Sequence, residues 1–143
     1  IEAKAQVAVE DADGTTPLMI AAEYADAQAL RLLFESNVSL ESANMTGETP
    51  LMAAARKGNT RAVEIFLDLG ACIEAKGSSG RTSLHSAATQ GRARTMRVLL
   101  DAKAATDARD AGQLTPLMAA AVEDHCEAMK VLIAGKADGE AQD

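Results

Sequence analysis

Four octapeptides in this chain are versions of one another: TTPLMIAA at 15–22, ETPLMAAA at 48–55, RTSLHSAA at 81–88 and LTPLMAAA at 114–121. Their threonines, Thr16, Thr49, Thr82 and Thr115, follow one another at 33 residues with no insertion, which divides the chain into units 11–43, 44–76, 77–109 and 110–142. A fixed period of this length constrains the fold more than any local propensity. Each unit is too small to bury its own apolar face, and stacking on its neighbours supplies the missing cover. The expected fold class is an all-α solenoid forming one domain over 1–143.

Each unit follows the same physical grammar. It opens on a polar turn containing glycine: DADG at 11–14, NMTG at 44–47, GSSG at 77–80. A helix start comes next, and in Thr16-Pro17, Thr49-Pro50 and Thr115-Pro116 a capping hydroxyl precedes a ring whose φ is already helical. The helix is short and rich in small residues, with Ala21-Ala22, Ala54-Ala55, Ala87-Ala88 and Ala120-Ala121 at one place, so that neighbouring helices can approach closely. After a break, apolar residues return at helical spacing: Leu30, Leu32 and Leu33, then Val63, Phe66 and Leu67, then Met96, Leu99 and Leu100, then Met129, Leu132 and Ile133. With only 2% aromatic residues, the core must come from Ala, Leu, Val, Ile and Met, which suits closely spaced helices better than a large β-sandwich.

These residues resemble the ankyrin-repeat family, whose sign is a 33-residue period around a TPLHxA core. The likeness runs through the whole chain. TPLM occurs three times, with Met19, Met52 and Met118 in the family's His place, and TSLH keeps His85 but puts Ser83 in place of Pro. The resemblance implies an L-shaped stack of helix-turn-helix units with β-hairpin loops projecting along one edge, used for binding proteins. It implies four 33-residue repeats plus a partial one at residues 1–10, where Ile1-Glu2-Ala3-Lys4-Ala5 resembles Leu100-Asp101-Ala102-Lys103-Ala104. Asp143 falls where a next unit would begin, and neither end looks like an atypical polar cap, so the expectation is a fragment of a longer array.

Departures from the family pattern are local. Between the two helices stand Gly58 and Gly91 but Ala25 and Asp124, which predicts softer first and fourth units. The glycine after the second helix is Gly70 in one unit and Asn37, Lys103 and Lys136 in the others. Gln113 takes the place of the turn glycines Gly14, Gly47 and Gly80, so the loop between units three and four is expected to deviate.

Several function classes are poorly supported. A net charge of -7 and a pI near 4.8 argue against nucleic-acid binding, which needs excess Lys and Arg. Two cysteines make no disulfide framework, no apolar run suits membrane insertion, and no leader opens the chain, so an intracellular place, cytoplasmic or nuclear, is expected. His85 reads as a local hydrogen-bonding residue of the helix start. His125 and Cys126 are neighbours pointing about 100° apart on a helix, and Cys72 lies in another unit's loop, so neither a metal site nor a catalytic or cofactor site is expected.

Charge is unevenly placed. Lys and Arg less Asp and Glu gives -5 for 11–43, 0 for 44–76, +4 for 77–109 and -4 for 110–142. The basic unit carries Arg81, Arg92, Arg94, Arg97, Lys103 and Arg109. One reading is a docking patch for an acidic partner; the other is compensation between stacked units, as in the row Arg31, Glu64, Arg97 and in Arg94 with Glu127. Arg81, on a turn tip, stands outside that compensation.

Family geometry implies that partner-facing positions lie on the tips and at the exposed end of each first helix. Unit one offers Asp13, Thr15, Glu23 and Tyr24; unit two Met45, Glu48, Arg56 and Lys57; unit three Ser79, Arg81 and Gln90; unit four Leu114 and Glu123. Tyr24, Met45 and Leu114 are unusual for solvent. The expected function is a non-enzymatic protein-interaction or scaffold module binding another protein through the hairpin tips and the concave groove that the resemblance implies. The competing readings are a regulatory or targeting segment of a larger enzyme or channel, and a structural subunit of a large complex.

Overall fold

The computed structural model describes residues 10–24 and 26–141, with side chains in the last helix described through Lys136. The readings of residues 1–9, Ala25 and Asp143 lie outside the described residues. Among those described, eight helices and no strand are formed: α1 (Pro17–Tyr24), α2 (Ala27–Glu35), α3 (Pro50–Lys57), α4 (Thr60–Asp68), α5 (Ser83–Thr89), α6 (Ala93–Asp101), α7 (Pro116–Val122) and α8 (Cys126–Ala141).

The helix starts form as their sequence requires. Thr16, Thr49, Thr82 and Thr115 accept through Oγ1 from the amides of Met19, Met52, His85 and Met118 at 3.2–3.5 Å, satisfying a donor that has no partner within the helix. Ser83 stands where the other units carry the N-terminal proline; it is buried and its Oγ donates to the Ile73 carbonyl at 3.3 Å. Asp26 and Asn59 cap α2 and α4 in the same manner, from Ala29 and Ala62. The turn into the second helix is left-handed at Gly58 (φ 78°), Gly91 (φ 67°) and Asp124 (φ 58°).

α1, α3, α5 and α7 pack in order as one row, and α2, α4, α6 and α8 as a second, more loosely spaced row. Ala22, Ala54, Ala55, Ala87, Ala88 and Ala120 are fully buried in the first row, which is what lets its helices close up. Leu18, Leu51 and Leu84 fill the space between rows, with Leu30, Phe66, Met96, Leu99 and Leu132 beneath the second. Phe34 meets Phe66 edge to face with ring centroids 5.8 Å apart. Leu32 and Ile133, read from their spacing as apolar face, are exposed, so the buried stripe is narrower than the sequence suggested.

Hydrogen bonds between successive units recur at three places, two of them at all three junctions and one at the first two. Met45, Ser78 and Ala111 donate their amides to the carbonyls of Asp13, Thr46 and Ser79 at 2.8–2.9 Å, joining loop to loop. Glu41 and Glu74 accept at Oε1 from the amides of Cys72 and Ala105 at 2.8 and 2.7 Å. At the head of each second helix, Asn59, Arg92 and His125 reach back to carbonyls at the end of the preceding first helix, those of Ala22, Arg56 and Thr89, at 3.0–3.1 Å. These carbonyls otherwise lack a helical partner. Arg92, though exposed, and His125 are therefore clamps between units.

Three expectations need correction. The projecting loops are not β-hairpins among the described residues: each is a tight turn closed by reciprocal backbone bonds, as in Asp11 N–H to Thr15 O at 3.1 Å and Gly14 N–H to Asp11 O at 3.0 Å. The loop between units three and four does not deviate. Gln113 adopts φ 64° where Gly14, Gly47 and Gly80 have 74–75°, because the Asp110 carboxylate accepts from the Gly112 and Leu114 amides and Arg109 Nη1 donates to the Gln113 carbonyl, each at 2.9 Å. Lys136 does not follow the last second helix but lies inside it, since α8 continues to Ala141 where α2, α4 and α6 stop after nine residues. Gly135 sits where α8 crosses α6; a Cβ there would lie 2.8 Å from Leu100 Cδ1.

Candidate protein-interaction surface

The turn tips and the C-terminal ends of the first helices lie along one side of the stack. Three of the four tips are fixed by the side chain that opens their unit; the third opens on Gly77. Asp11 and Asn44 accept through one side-chain oxygen from two loop amides each, Asp13 and Thr15 in the first case and Thr46 and Glu48 in the second, as Asp110 does in the fourth. The Thr15 amide foremost, opposed by burial and joined by Asp13, holds the Asp11 carboxyl below its ordinary range. These anchors were missed in the sequence, although the Asp or Asn three residues before the turn's left-handed position is a readable signal.

Between the first two units the surface is organised by one arginine. Arg56 pairs through Nη2 with Glu23 of α1 and through Nε with Glu48 at 2.8 Å, and Asn44 Nδ2 supports Glu48 at 3.4 Å. The bond from Glu48 leads in raising the Arg56 pKa above its ordinary value; partial burial opposes it, and the Glu48 and Glu23 charges reinforce it. Lys57 lies 3.9 Å from the other Glu23 oxygen and 5.0 Å from the centre of the Tyr24 ring, an ammonium held over a π face. Tyr24 is nonetheless 71% exposed, and Met45 at the second tip is 75% exposed.

Next to this network an open groove of about 530 Å³ runs from Met45, Glu48, Met52 and Arg56 to Ser78, Ser79, Arg81 and Ser86. At its far wall Arg81 Nε stands 3.3 Å from Oδ2 of the buried Asp110. Burial raises the Asp110 pKa, but the Leu114 amide, Arg81 and the Gly112 amide outweigh it and leave the carboxyl below its ordinary range. Arg81 is thus compensated, contrary to its reading as the one cation outside the internal pairing. The stacked row assigned to compensate the outer helices does not form among the described residues: Glu64 pairs with Arg61 at 3.2 Å and Glu127 with Lys130 at 3.0 Å, each within its own helix. Pairing at i,i+3 within a helix needs no reach between helices, which explains the preference.

Asp13, Ser79, Gln90 and Glu123 are exposed, as their positions implied, and Thr15 is half-buried. Leu114 is half-buried rather than exposed. Its carbonyl accepts from Nε2 of His85 at 2.9 Å. His85 is fully buried, and its Nδ1 accepts from the Thr82 amide at 3.3 Å, which fixes a neutral ring with the proton on Nε2. The ring closes the cap of α5 and holds the next loop, so the local role read from the sequence extends to the junction with unit four. Ile20 is 53% exposed one turn before Tyr24 on α1, and it was missed because the other units carry Ala53, Ser86 and Ala119 at that place.

No helix among the described residues is long and apolar enough to cross a membrane. No curated protein matches the chain significantly. The family model for ankyrin repeats (three copies) matches residues 1–77 and again 71–143. Members of that family are generally protein-interaction modules and typically not enzymes. The repeated helix pairs, their threonine caps and this match together place the chain in the ankyrin-repeat family.

Proposed function

We propose that this chain is a non-enzymatic protein-interaction module of four 33-residue units with the tail of a preceding one in residues 1–10, binding its partner along the concave side. The first helices form the more closely spaced row, and in a curved stack the closer row lies inside, so their exposed ends and the turn tips line the concavity. The observation that carries the reading is the open groove beside exposed Tyr24 and Met45. It is shallow, unlike the enclosed pockets of small ligands, and suits an extended segment or a protein surface. Tyr is also a side chain that tends to carry interface energy.

The surface so defined comprises Asp13, Glu23, Tyr24, Met45, Glu48, Arg56, Lys57, Ser79, Arg81, Gln90, Leu114 and Glu123. A photoreactive side chain placed at position 24 should cross-link a protein partner, and one at position 94 on the back of α6 should not. With the partner in hand, Tyr24→Ala and Arg81→Ala should speed dissociation, whereas Arg94→Ala should change only the salt-dependent association rate. Cross-links confined to position 94 would refute the concave assignment.

A second reading, that the units belong to a longer array or serve a larger protein, is favoured by the outer face of unit four. Met118 is 44% exposed, whereas Met19 and Met52 at the same place are 2% and 3% exposed beneath the unit that follows. With Leu117 and Ile133 it lines an open cleft, which a further unit would cover. Appending one such unit should raise the midpoint of urea denaturation, and an unchanged midpoint would count against this reading.

A further inference from the structure

We infer that the segment held by the N-terminal half of the concave side is cationic and carries an apolar anchor; the inference rests on the concave reading above. Two features of the surface lead to it. The first is exposed apolar surface on both sides of the charged network: Ile20 and Tyr24, one turn apart on α1, and Met45 on the second tip are all more than half exposed. The Glu23, Arg56 and Glu48 network links the α1 side chains to the groove that Met45 lines. Exposed apolar side chains gathered beside a groove mark an interaction surface more than scattered ones do.

The second feature is the charge left after internal pairing. Arg56 and Lys57 are matched by Glu23 and Glu48, and Arg81 of the basic unit by Asp110, so these three cations at the tips and first-helix ends are already neutralised where they stand. What remains at the first tip is negative. Asp11 stays ionised through its two loop amides, and the exposed Asp13 carboxylate makes no hydrogen bond or ion pair among the described residues. Lys76 and Arg109, which have no carboxylate partner among the described residues, are directed away from the first tip, donating to the carbonyls of Arg109 in unit three and Gln113 in unit four. A segment lying over the first tip therefore meets carboxylates, and its lysine or arginine side chains find the complementary potential there. The same arrangement repels an acidic segment, which is a means of excluding wrong partners.

The test uses the whole chain, isotopically labelled, titrated with two peptides followed by backbone amide shifts: a lysine-serine peptide with one central phenylalanine, and its glutamate-serine counterpart. The lysine peptide is expected to shift the amides of residues 11–24 and of Met45. Tyr24→Ala should weaken it about tenfold or more. Asp13→Asn should weaken it about two- to threefold and flatten the salt dependence. Both side chains are exposed and Asp11, which ties the turn, is left intact; Asp13→Asn removes no hydrogen bond among the described residues, and Tyr24→Ala removes only the exposed contact with Lys57, which keeps its Glu23 partner. Tighter binding of the glutamate peptide around Arg81 would overturn the cationic partner and leave the concave reading standing. Shifts confined to α2, α4 and α6 would overturn both. Failure of the lysine peptide to bind, or binding indifferent to both substitutions, would overturn the inference itself.

Discussion

Replacing His85 by methionine, the residue that three of the four units carry at this place, isolates what the buried ring does. The substitution keeps apolar volume in a site where Met19 and Met52 are themselves buried, but it removes the donor to the Leu114 carbonyl and the acceptor for the Thr82 amide. A hydrogen bond of this kind contributes about 1 kcal/mol, and a buried partner left without one costs about 1–3 kcal/mol. Leu114 is half-buried, so water can reach its carbonyl, and the expected loss at neutral pH is about 1–2 kcal/mol. The pH dependence has a definite sign. Burial foremost lowers the His85 pKa below 6.5; the Leu114 carbonyl and the Asp110 charge oppose it, while Arg81 and Lys76 reinforce it. The unfolded chain therefore takes up a proton near pH 6.5 that the native ring resists. Its contribution to stability is full above that pH and is lost as pH falls towards the lower folded value, with a slope of at most about 1.4 kcal/mol per pH unit. Urea denaturation followed by circular dichroism between about pH 7.5 and 5 would measure it in both proteins. The wild type should lose stability on acidification more steeply than His85→Met, and amide exchange in α7 should quicken in the variant. Equal slopes, or a variant as stable as the wild type at neutral pH, would refute the role given to the ring.

Other substitutions probe other parts of the stack. Leu51→Ala and Leu84→Ala, each removing a fully buried side chain between the rows, should cost about 2–5 kcal/mol by urea denaturation. Hydrogen exchange should be slowest in α3 to α6, and slowest exchange in α1 would contradict an array held by nearest-neighbour interfaces. Arg92→Ala should lower stability by about 1 kcal/mol, because the Arg56 carbonyl loses the donor at 3.1 Å, and an effect on partner association without loss of stability would refute its place as a clamp. Gln113→Gly should raise the urea midpoint by relieving about 1 kcal/mol of left-handed strain at φ 64°; a lowered midpoint would mean that the loop depends on the glutamine itself.

Much of this was legible in the linear chain because it depends on near neighbours. A threonine cap bonds three residues ahead, a proline sets its own φ, and an alanine pair is small whatever surrounds it. The period of the threonines then fixed the stacking order, since equivalent residues in a solenoid can meet only their counterparts one unit away. The failures had causes of the same local kind. Gln113 was judged by its own preference for negative φ, whereas Asp110 and Arg109 hold it in a turn that the flanking loops also use. Lys136 was judged by its register, whereas α8 continues past the point where the other second helices stop.

The sequence by itself determined the helix boundaries at their capped ends, the order of packing and the composition of the core, because each follows from spacing and side-chain size. Only the tertiary structure decided which charges are compensated. Arg56 reaches Glu23 across 33 residues and Arg81 reaches Asp110 across 29, while Glu64 and Glu127, which the period aligned with cations in other units, turn instead to Arg61 and Lys130 on their own helices. Long side chains choose among carboxylates by distance and solvent access, and at a spacing of whole units neither quantity is fixed by position in the chain.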